Sequence, residues 1–400
     1  MKIESAEILL PSKGIAEDVE FWTSAAPGLG FRMNQIYPAD DPQVVTLSGH
    51  GLRLRLDKSA NASASDPGTI RLLCSASEPG STFRGRELTS PSGTQVELVS
   101  AETSMHRPPT QHAFITRQLK DNAPWVVGRA GMHYRDLIPG RLGGAIIASH
   151  IRIPDAGPVS DNVHFHDVGF QLIHCHAGWV RLVYEDQGGP FILRAGDSVI
   201  QPPRIRHRVL ESSGGLQVVE IGVPAEHLTT IDHEMELPTP HHRPDREWDG
   251  QKFVLSRLDD AVWKPWRMPG FEAHDTGVED GTKGVAAVRV VRPVPSEDLK
   301  TSVATSHDSD ILFTCKSTDK PKFLVCILVL SRVTDMPSTN AVVLSGSCTL
   351  HGEGRGSQVL GGGDAYTLPP GYKTSLTNWS SDLSLLEVSL PGRFHTTIHP

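Results

Sequence analysis

Three histidines within residues 157–211 constrain this chain more than any other feature of its sequence. His164 and His166 are separated by one residue, and His207 follows after an interval that contains Gly196. Side chains two residues apart on a β-strand point to the same face of a sheet. A third imidazole arriving from a later strand would complete a set of nitrogen donors with open coordination positions. The stretch therefore predicts a metal site inside a small β-barrel.

The composition predicts a globular, soluble protein. The chain has 400 residues, 38% of them apolar and 21% charged, with a formal net charge of −8. This size suits two to three domains, and the acidic balance argues against a nucleic-acid partner. There is no signal-peptide pattern at the N-terminus, the apolar run 323–330 is too short to span a bilayer, and the scattered cysteines favour a reducing compartment. We expect a cytoplasmic protein with no membrane partner.

Changes in composition and periodicity along the chain predict several parts. Residues 52–56 alternate strictly between apolar and charged, as a half-buried strand does, and residues 15–22 have helical spacing. The predicted order near the N-terminus is therefore βαβββ. The predicted parts are an α+β module (1–75), a linker (76–124), a first β-barrel that carries the histidines (125–228), a connector (229–284) and a second β-barrel (285–400).

The second barrel is predicted from an internal repeat. The matching pairs are Gly178 with Gly346, Gly196-Asp197 with Gly363-Asp364, Pro202-Pro203 with Pro369-Pro370, and 218–222 with 386–390. Thr374 stands where the repeat places His207, and His307 is the one imidazole upstream. One histidine and a hydroxyl hold a divalent metal poorly. We therefore expect the second barrel to lack a metal and to serve a structural or binding role.

Residues 315–341 interrupt this second copy. Deleting them would join a strand ending at Thr314 directly to the strand that begins at Val342. One hypothesis is that the segment is an intron retained in a gene model, and the alternative is a true lid or interface loop.

The spaced residues of the first copy resemble the two motifs of the cupin superfamily. The residues that carry this resemblance are Gly157, His164, His166, Gln171 and Gly178, followed by Gly196, Pro202 and His207. The resemblance implies a bicupin, with two jelly-roll (double-stranded β-helix) barrels and a metal in the first. The chain departs from the pattern at Gln171 (Glu in the family), Arg204 (Gly) and Glu211 (Asn), and by one extra residue before the first histidine.

The N-terminal module resembles one half of a vicinal-oxygen-chelate (glyoxalase-like) domain in its order of elements. Its strands present one candidate ligand, Glu7. A site needs several convergent groups, so a structural or dimerisation role is the better prediction, and a homodimer is possible.

The cupin resemblance implies that His164, His166 and His207 bind a divalent metal, with Gln171 as a neutral and doubtful fourth ligand. It implies iron(II) first and dioxygenase chemistry on a small organic anion, with zinc, manganese or nickel as other options. The other interpretations are a non-catalytic binder of a metal or small molecule and a metal-dependent isomerase, cyclase or lyase.

His174, His176 and Arg181 are further polar residues near the predicted metal site. By strand parity His174 and His176 lie on the face opposite Gln171, so we expect this second His-x-His pair not to bind the metal. Arg181 could face inward and hold a substrate carboxylate, or it could be an ordinary surface arginine.

Overall fold

Strands dominate the fold of this protein. The structure is a computed structural model, and it describes residues 2–24, 31–49, 51–60, 69–75, 86–89, 95–100, 105–121, 124–294, 304–309, 311–314, 326–329 and 339–399. Within these ranges the α-helices are short and few, which confirms the mainly β prediction. Among the described residues no helix has the length and apolar character that crossing a membrane requires.

The elements are numbered in chain order. Up to residue 100 they are β1 (Lys2–Pro11), α1 (Ile15–Thr23), β2 (Arg32–Tyr37), β3 (Val44–Gly49), β4 (Leu52–Asp57), β5 (Thr69–Ser75), β6 (Arg86–Thr89) and β7 (Gln95–Ser100). Up to residue 252 they are β8 (Ile115–Arg117), β9 (Val126–Val127), β10 (His133–Asp136), α2 (Arg141–Gly144), β11 (Ile147–Ile153), β12 (Gly157–Pro158), β13 (His164–His166), β14 (Phe170–Ala177), β15 (Trp179–Tyr184), β16 (Phe191–Arg194), β17 (Ser198–Ile200), β18 (His207–Ser212), β19 (Leu216–Val223), β20 (Thr229–Ile231), β21 (Glu247–Trp248) and β22 (Gln251–Lys252).

The remaining elements belong to the second half of the chain. They are β23 (Val254–Ser256), β24 (Trp263–Pro265), β25 (Phe271–Asp275), α3 (Val278–Gly281), β26 (Ala286–Pro293), β27 (Ala304–His307), β28 (Ile311–Thr314), β29 (Cys326–Val329), β30 (Thr339–Ser345), β31 (Cys348–Gly352), β32 (Gly356–Leu360), β33 (Ala365–Leu368), β34 (Thr374–Thr377), β35 (Ser384–Leu390) and β36 (Thr396–His399).

Two compact units are present in the chain. The first contains Met1–His106, Asn162–Asp167 and His227–Met235, and the second contains Arg107–Asp161, Val168–Glu226 and Glu236–Pro400. In the first unit β1 pairs in parallel with β4, and β2, β3 and β4 form an antiparallel series. The alternating strand β4 buries Leu54 and Leu56 in a core to which α1 contributes Ile15.

The predicted βαβββ order of the first unit is confirmed, and β5, β6 and β7 extend the same sheet. Its relation to the vicinal-oxygen-chelate superfamily stays a prediction. Of the predicted linker and insert, residues 76–85, 90–94, 101–104, 122–123, 315–325 and 330–338 lie outside the described residues.

Most of the second unit consists of two sets of strands with the same pairing, which form a first and a second barrel. In the first barrel β14 pairs with β17 and β19, and β19 pairs with β11. In the second barrel β30 pairs with β33 and β35, and β35 pairs with β26. Across each core, β15 pairs with β16 and β18, as β31 pairs with β32 and β34. The internal repeat is therefore a repeat of topology.

Each barrel receives a strand from the segment that precedes the other barrel. β8 pairs with β33 of the second barrel, and β23 pairs with β17 of the first. The two contacts end in the same way: the Leu119 N–H donates to Asp364 Oδ1 at 2.7 Å, and the Leu258 N–H donates to Asp197 Oδ1 at 3.0 Å. Because each exchanged strand satisfies backbone groups at an edge of the other barrel, the exchange ties the two barrels together.

The strand pairing corrects the alignment of the two copies by one residue. Each final strand ends in a cis X-Pro bond, Val223-Pro224 in one and Leu390-Pro391 in the other. Residues 386–390 therefore match 219–223, and not 218–222 as the sequence comparison predicts. The interval from Gly178 to Asp197 in the first copy is one residue longer than the interval from Gly346 to Asp364 in the second. The hairpin within this interval therefore differs by one residue between the copies.

The position of the 315–341 segment follows from strand register. In the first barrel the single strand β14 pairs with β19 from Phe170 to Ala177. In the second barrel two strands, β28 and β30, divide the matching edge of β35 between them. The segment therefore enters the second barrel at the middle of what is one continuous strand in the first.

Strand β14 separates two cores. Cys175 packs inside the first barrel with Val180 and Tyr184. Phe170 and Leu172 belong to a different core, which also holds residues of the second barrel such as Val288. The odd-numbered residues of β14 thus face the interior of the first barrel, and the even-numbered residues face the second barrel.

Candidate functional site

The three predicted metal ligands are all buried. His164 and His166 begin and end β13, and His207 is the first residue of β18. Their exposed fractions are 1%, 6% and 3%. Each can offer one ring nitrogen, and these nitrogens lie within 4.8 Å of one another. The described residues contain no other such group of histidine, cysteine or acidic side chains.

The second ring nitrogen of each histidine has a partner that sets the orientation of the ring. His164 Nδ1 lies 2.8 Å from the Asn162 carbonyl oxygen, and His207 Nδ1 lies 3.0 Å from the carbonyl oxygen of Ile205. A carbonyl only accepts, so Nδ1 carries the proton in both rings and the lone pair is on Nε2. His166 Nδ1 lies 2.9 Å from the Thr229 hydroxyl oxygen. This is the arrangement that orients metal-binding imidazoles in proteins.

The electrostatics around His207 favour its neutral form. Burial lowers the pKa of His207 to about 4, and the nearby Arg129 adds to the effect. Burial alone would also lower the pKa of Arg129, but Asp161, Tyr134 and Glu220 together raise it. Arg129 therefore stays charged in the barrel and bonds to the Asp161 carboxylate. A neutral imidazole is the form that binds a metal.

Gln171 lies on the interior face of β14, beside a carboxylate that the sequence analysis did not single out. Its Nε2 donates a 2.6 Å hydrogen bond to Glu220 Oε1 on β19. The side chain is 1% exposed, and its Oε1 is buried with no hydrogen-bond partner in the part of the chain that the structure describes.

A buried phenol completes the polar interior of the first barrel. Tyr184 stacks on His207 with ring centroids 5.5 Å apart, and its hydroxyl accepts a 2.9 Å hydrogen bond from Gln201. Burial raises the pKa of Tyr184, so the phenol stays protonated. Tyr184 is therefore a core residue whose protonated hydroxyl lies within the barrel.

Arg181 does not reach this interior. Its neighbours Val180 and Leu182 pack in the barrel core, so the arginine between them points outward. There it bonds to Glu211 at 2.8 Å, with 43% of its side chain exposed. The possibility that Arg181 faces inward to bind a carboxylate is therefore wrong, because strand alternation places it on the outer face.

The second His-x-His pair is buried between the barrels. His174 bonds to the Ser198 hydroxyl at 3.0 Å, and His176 packs edge-on against His150 with ring centroids 5.3 Å apart. His150 in turn contacts Arg135 and Gln217. The parity prediction is confirmed, since these rings lie on the opposite face of β14 from Gln171.

The second barrel has a different set of polar groups at the matching positions. The pairing of β27 with β36 matches that of β13 with β20, which aligns Thr305 with His164 and His307 with His166. Thr374 begins β34 as His207 begins β18. Glu387 aligns with Glu220, and it bonds to the Arg267 guanidinium.

The remaining predicted ligand, Glu7 of the N-terminal module, is buried and lies 3.4 Å from Arg53. It belongs to no cluster of metal-binding side chains among the described residues. Its place is consistent with the structural role predicted for the module.

The sequence analysis missed Glu220 and Arg129. One signal could have found Glu220. The corrected alignment matches it with Glu387, so a glutamate recurs at an inward position of the last strand in both copies.

The strand pairing repeated in the two barrels decides the fold. The chain has the double-barrel fold of a bicupin. No protein-family model matches its sequence, and no curated protein matches it. Solved structures with a similar fold include an oxalate decarboxylase of Lactobacillus farciminis in complex with formate, at 12% identity over 72% of this chain and 88% of that chain, with a TM-score of 0.48.

Two more similar structures have comparable values. A variant of the Bacillus subtilis oxalate decarboxylase is 12% identical over 75% of this chain and 82% of that chain, with a TM-score of 0.47. The protein Ylba of E. coli is 9% identical over 71% of this chain and 93% of that chain, with a TM-score of 0.44. The assignment of the fold to this chain rests on its own strand pairing and motif residues.

Proposed function

We propose that this bicupin is a metal-dependent enzyme, most specifically a non-haem iron dioxygenase that oxidises a small organic anion. The observation that carries the proposal is the group of three buried histidines whose ring nitrogens lie within 4.8 Å of one another. Nδ1 of each ring is engaged by Asn162, Thr229 or Ile205, and Nε2 is the nitrogen that each ring would offer to the metal. Three imidazoles suit several divalent metals, among them iron, zinc, manganese and nickel.

Three nitrogen ligands leave coordination positions for a substrate and a second small molecule. A bound iron(II) ion supplies a Lewis acid for the substrate anion and the electrons with which dioxygen reacts. The protein supplies three neutral donors, so the site keeps the full charge of a divalent ion. Such a charge favours an anionic, chelating substrate such as an enolate, carboxylate or phenolate.

The chain's own residues can control the surroundings of the substrate. Arg129 and Asp161 form a buried ion pair next to His207. Tyr184 can donate a proton from its hydroxyl, which Gln201 holds in place. The barrel core of Val180, Leu182 and Leu193 keeps the interior apolar and strengthens each of these electrostatic interactions.

Metal analysis and oxygen consumption test this proposal. The purified protein should contain close to one equivalent of iron, or take it up anaerobically, and should consume oxygen only when an organic anion is supplied. A panel of catechols, β-diketones and 2-oxo acids represents the substrate class. Zinc in the purified protein, together with no oxygen uptake for any panel member, would contradict the dioxygenase.

A second candidate is a metal-dependent isomerase, cyclase or lyase. Glu220 and Tyr184 favour it, because the charge of Glu220 acts on the buried phenol of Tyr184 and the two groups can accept or donate a proton. In that case turnover would proceed under argon with zinc or manganese bound. A third candidate, a non-catalytic binder, would show metal or ligand binding with no turnover in either atmosphere.

A further inference from the structure

Gln171 occupies the position at which cupin barrels usually carry a glutamate, and its partner Glu220 explains the exchange. The two side chains meet across neighbouring strands, with Gln171 Nε2 2.6 Å from Glu220 Oε1. A carboxylate only accepts hydrogen bonds. The amide must therefore turn its NH₂ group toward Glu220, and its oxygen is left on the other side of the side chain.

That amide oxygen is the unusual atom of the pair. It is buried on a side chain that is 1% exposed, and it has no hydrogen-bond partner within the described residues. A buried acceptor without a partner destabilises the folded protein, because the group has lost its hydrogen bonds to water. Such groups are rare in native proteins, and a bound ion is one of the recognised explanations for them.

The surroundings place this oxygen in the same interior as His207. The charge of Arg129 acts on His207, and the charge of Glu220 acts on Arg129. Glu220 and His207 thus interact electrostatically with the same buried guanidinium, and Gln171 contacts Glu220 from the interior face of β14.

We propose that Glu220 is a positioning residue, which fixes the amide of Gln171 so that its oxygen is available as the fourth ligand of the metal. This inference rests on the proposed metal site. Glu220 touches neither the metal nor the substrate; it acts through Gln171. In most cupins the fourth ligand is a glutamate and carries a negative charge. In this chain the ligand would be the neutral Gln171, and the negative charge is on Glu220 behind it.

A comparison with the second barrel supports the pairing. Glu387 is the counterpart of Glu220, and Leu312 occupies the register position of Gln171. Without an amide to hold, Glu387 bonds to Arg267, whereas the buried arginine of the first barrel, Arg129, bonds to Asp161. The glutamate is bonded to an amide only in the barrel that has the three histidines.

A double-mutant cycle with cobalt(II) as the metal tests the inference. Cobalt(II) is titrated into the apoprotein of the wild type, E220L, Q171L and the Q171L/E220L double variant, and its visible absorption reports both affinity and ligand set. E220L should weaken binding about 10- to 100-fold in the wild-type background, as loss of an orienting partner does. In the Q171L background it should have no effect beyond about twofold. E220Q, which can still accept the hydrogen bond, should bind cobalt(II) within about threefold of the wild type.

A charge exchange gives an independent arm. Q171E places two carboxylates in contact and should weaken cobalt(II) binding, whereas Q171E/E220Q restores one negative charge and one amide and should bind at least as tightly as the wild type. If E220L does not fold, the comparison of Q171E with Q171E/E220Q tests the role of Glu220 by itself. An equal effect of E220L in both backgrounds, or a failed rescue by the exchange, would overturn the role of Glu220. Wild type that binds no cobalt(II) would instead overturn the metal site itself, and the inference with it.

Discussion

The two barrels of this chain share their strand pairing but differ in the polar side chains that lie at matching positions. Both have a glutamate at the same inward position of the last strand, Glu220 in one and Glu387 in the other, and a buried arginine that interacts with it. Three buried histidines lie at the matching strand positions in one copy, and Thr305, His307 and Thr374 in the other. The fold therefore tolerates loss of the ligands, because strand pairing and the exchanged strands hold each barrel without them.

The difference also extends to the face between the barrels. On β14 of the first barrel this face carries the bond from His174 to Ser198. The matching register positions of the second barrel are Val342 and Ala365. The first barrel thus has polar and titratable residues at two register positions that are valine and alanine in the second barrel.

The largest predicted effect comes from replacing a ligand by its counterpart. H207T introduces the residue that the second barrel has at this position and should weaken metal binding by at least about 100-fold, because two imidazoles hold a divalent ion poorly. Isothermal titration with cobalt(II) measures it. The matched variant T374A in the second barrel should leave the affinity unchanged. A bound metal in H207T with wild-type affinity would show that the two barrels do not differ in the way proposed.

The next effect is a dependence of stability on pH that originates in the first barrel. Burial lowers the pKa of His150 and of His174 to about 4, against about 6.5 for an unfolded histidine. Between these values the unfolded chain binds more protons than the folded chain, so stability falls as the pH falls from 6.5 to 4. Each group accounts for at most about 3 kcal/mol of this loss.

The double variant H174V/S198A gives this face the residues of the second barrel and tests the origin of the slope. Urea unfolding at pH 7.5, 6 and 5 should show a shallower loss of stability than the wild type, by about one proton per chain. H241Q alters an exposed histidine and is the control. An unchanged slope in the double variant would place the pH dependence elsewhere in the molecule.

The smallest effect concerns the segment that distinguishes β28 and β30 from the single strand β14. Deleting residues 315–341 joins Thr314 to Val342 and should produce one continuous strand, as in the first barrel. We expect thermal unfolding within about 4 to 8 °C of the wild type, which corresponds to about 1 kcal/mol. Loss of folding would show that the segment is integral to the second barrel, and transcript sequencing would test the intron hypothesis separately.

Much of the site was predictable because its residues are local and periodic. His164, Phe165 and His166 fix their faces by strand parity alone, and the same parity placed His174 and His176 away from Gln171. The distances among glycines, prolines and histidines then predicted the barrel turns and the repeat. The match of the last strands was predicted one residue out of register. A change in hairpin length shifts the alignment of the two copies without changing the motif residues.

The partners of the site were not predictable, because they come from segments far apart in the chain. Glu220 meets Gln171 across 49 residues, and Arg246 reaches Asp186 across 60 residues. Arg181 was ambiguous for the same reason, since local spacing does not say which sheet face is inward until the core has formed. The exchange of β8 and β23 between the barrels has no local signal at all.

By itself the sequence determined the mainly β class, the internal duplication, the histidines and the loss of their counterparts in the second copy. Each of these depends on spacing along the chain, which is set by the two-residue period of a strand. Only the tertiary structure decided which glutamate holds Gln171, which arginine lies beside His207 and which face of β14 meets the other barrel. These features depend on how strands from distant parts of the chain pair. That pairing determines the hydrogen-bond partner of each buried polar group, and the partner determines what the group can do.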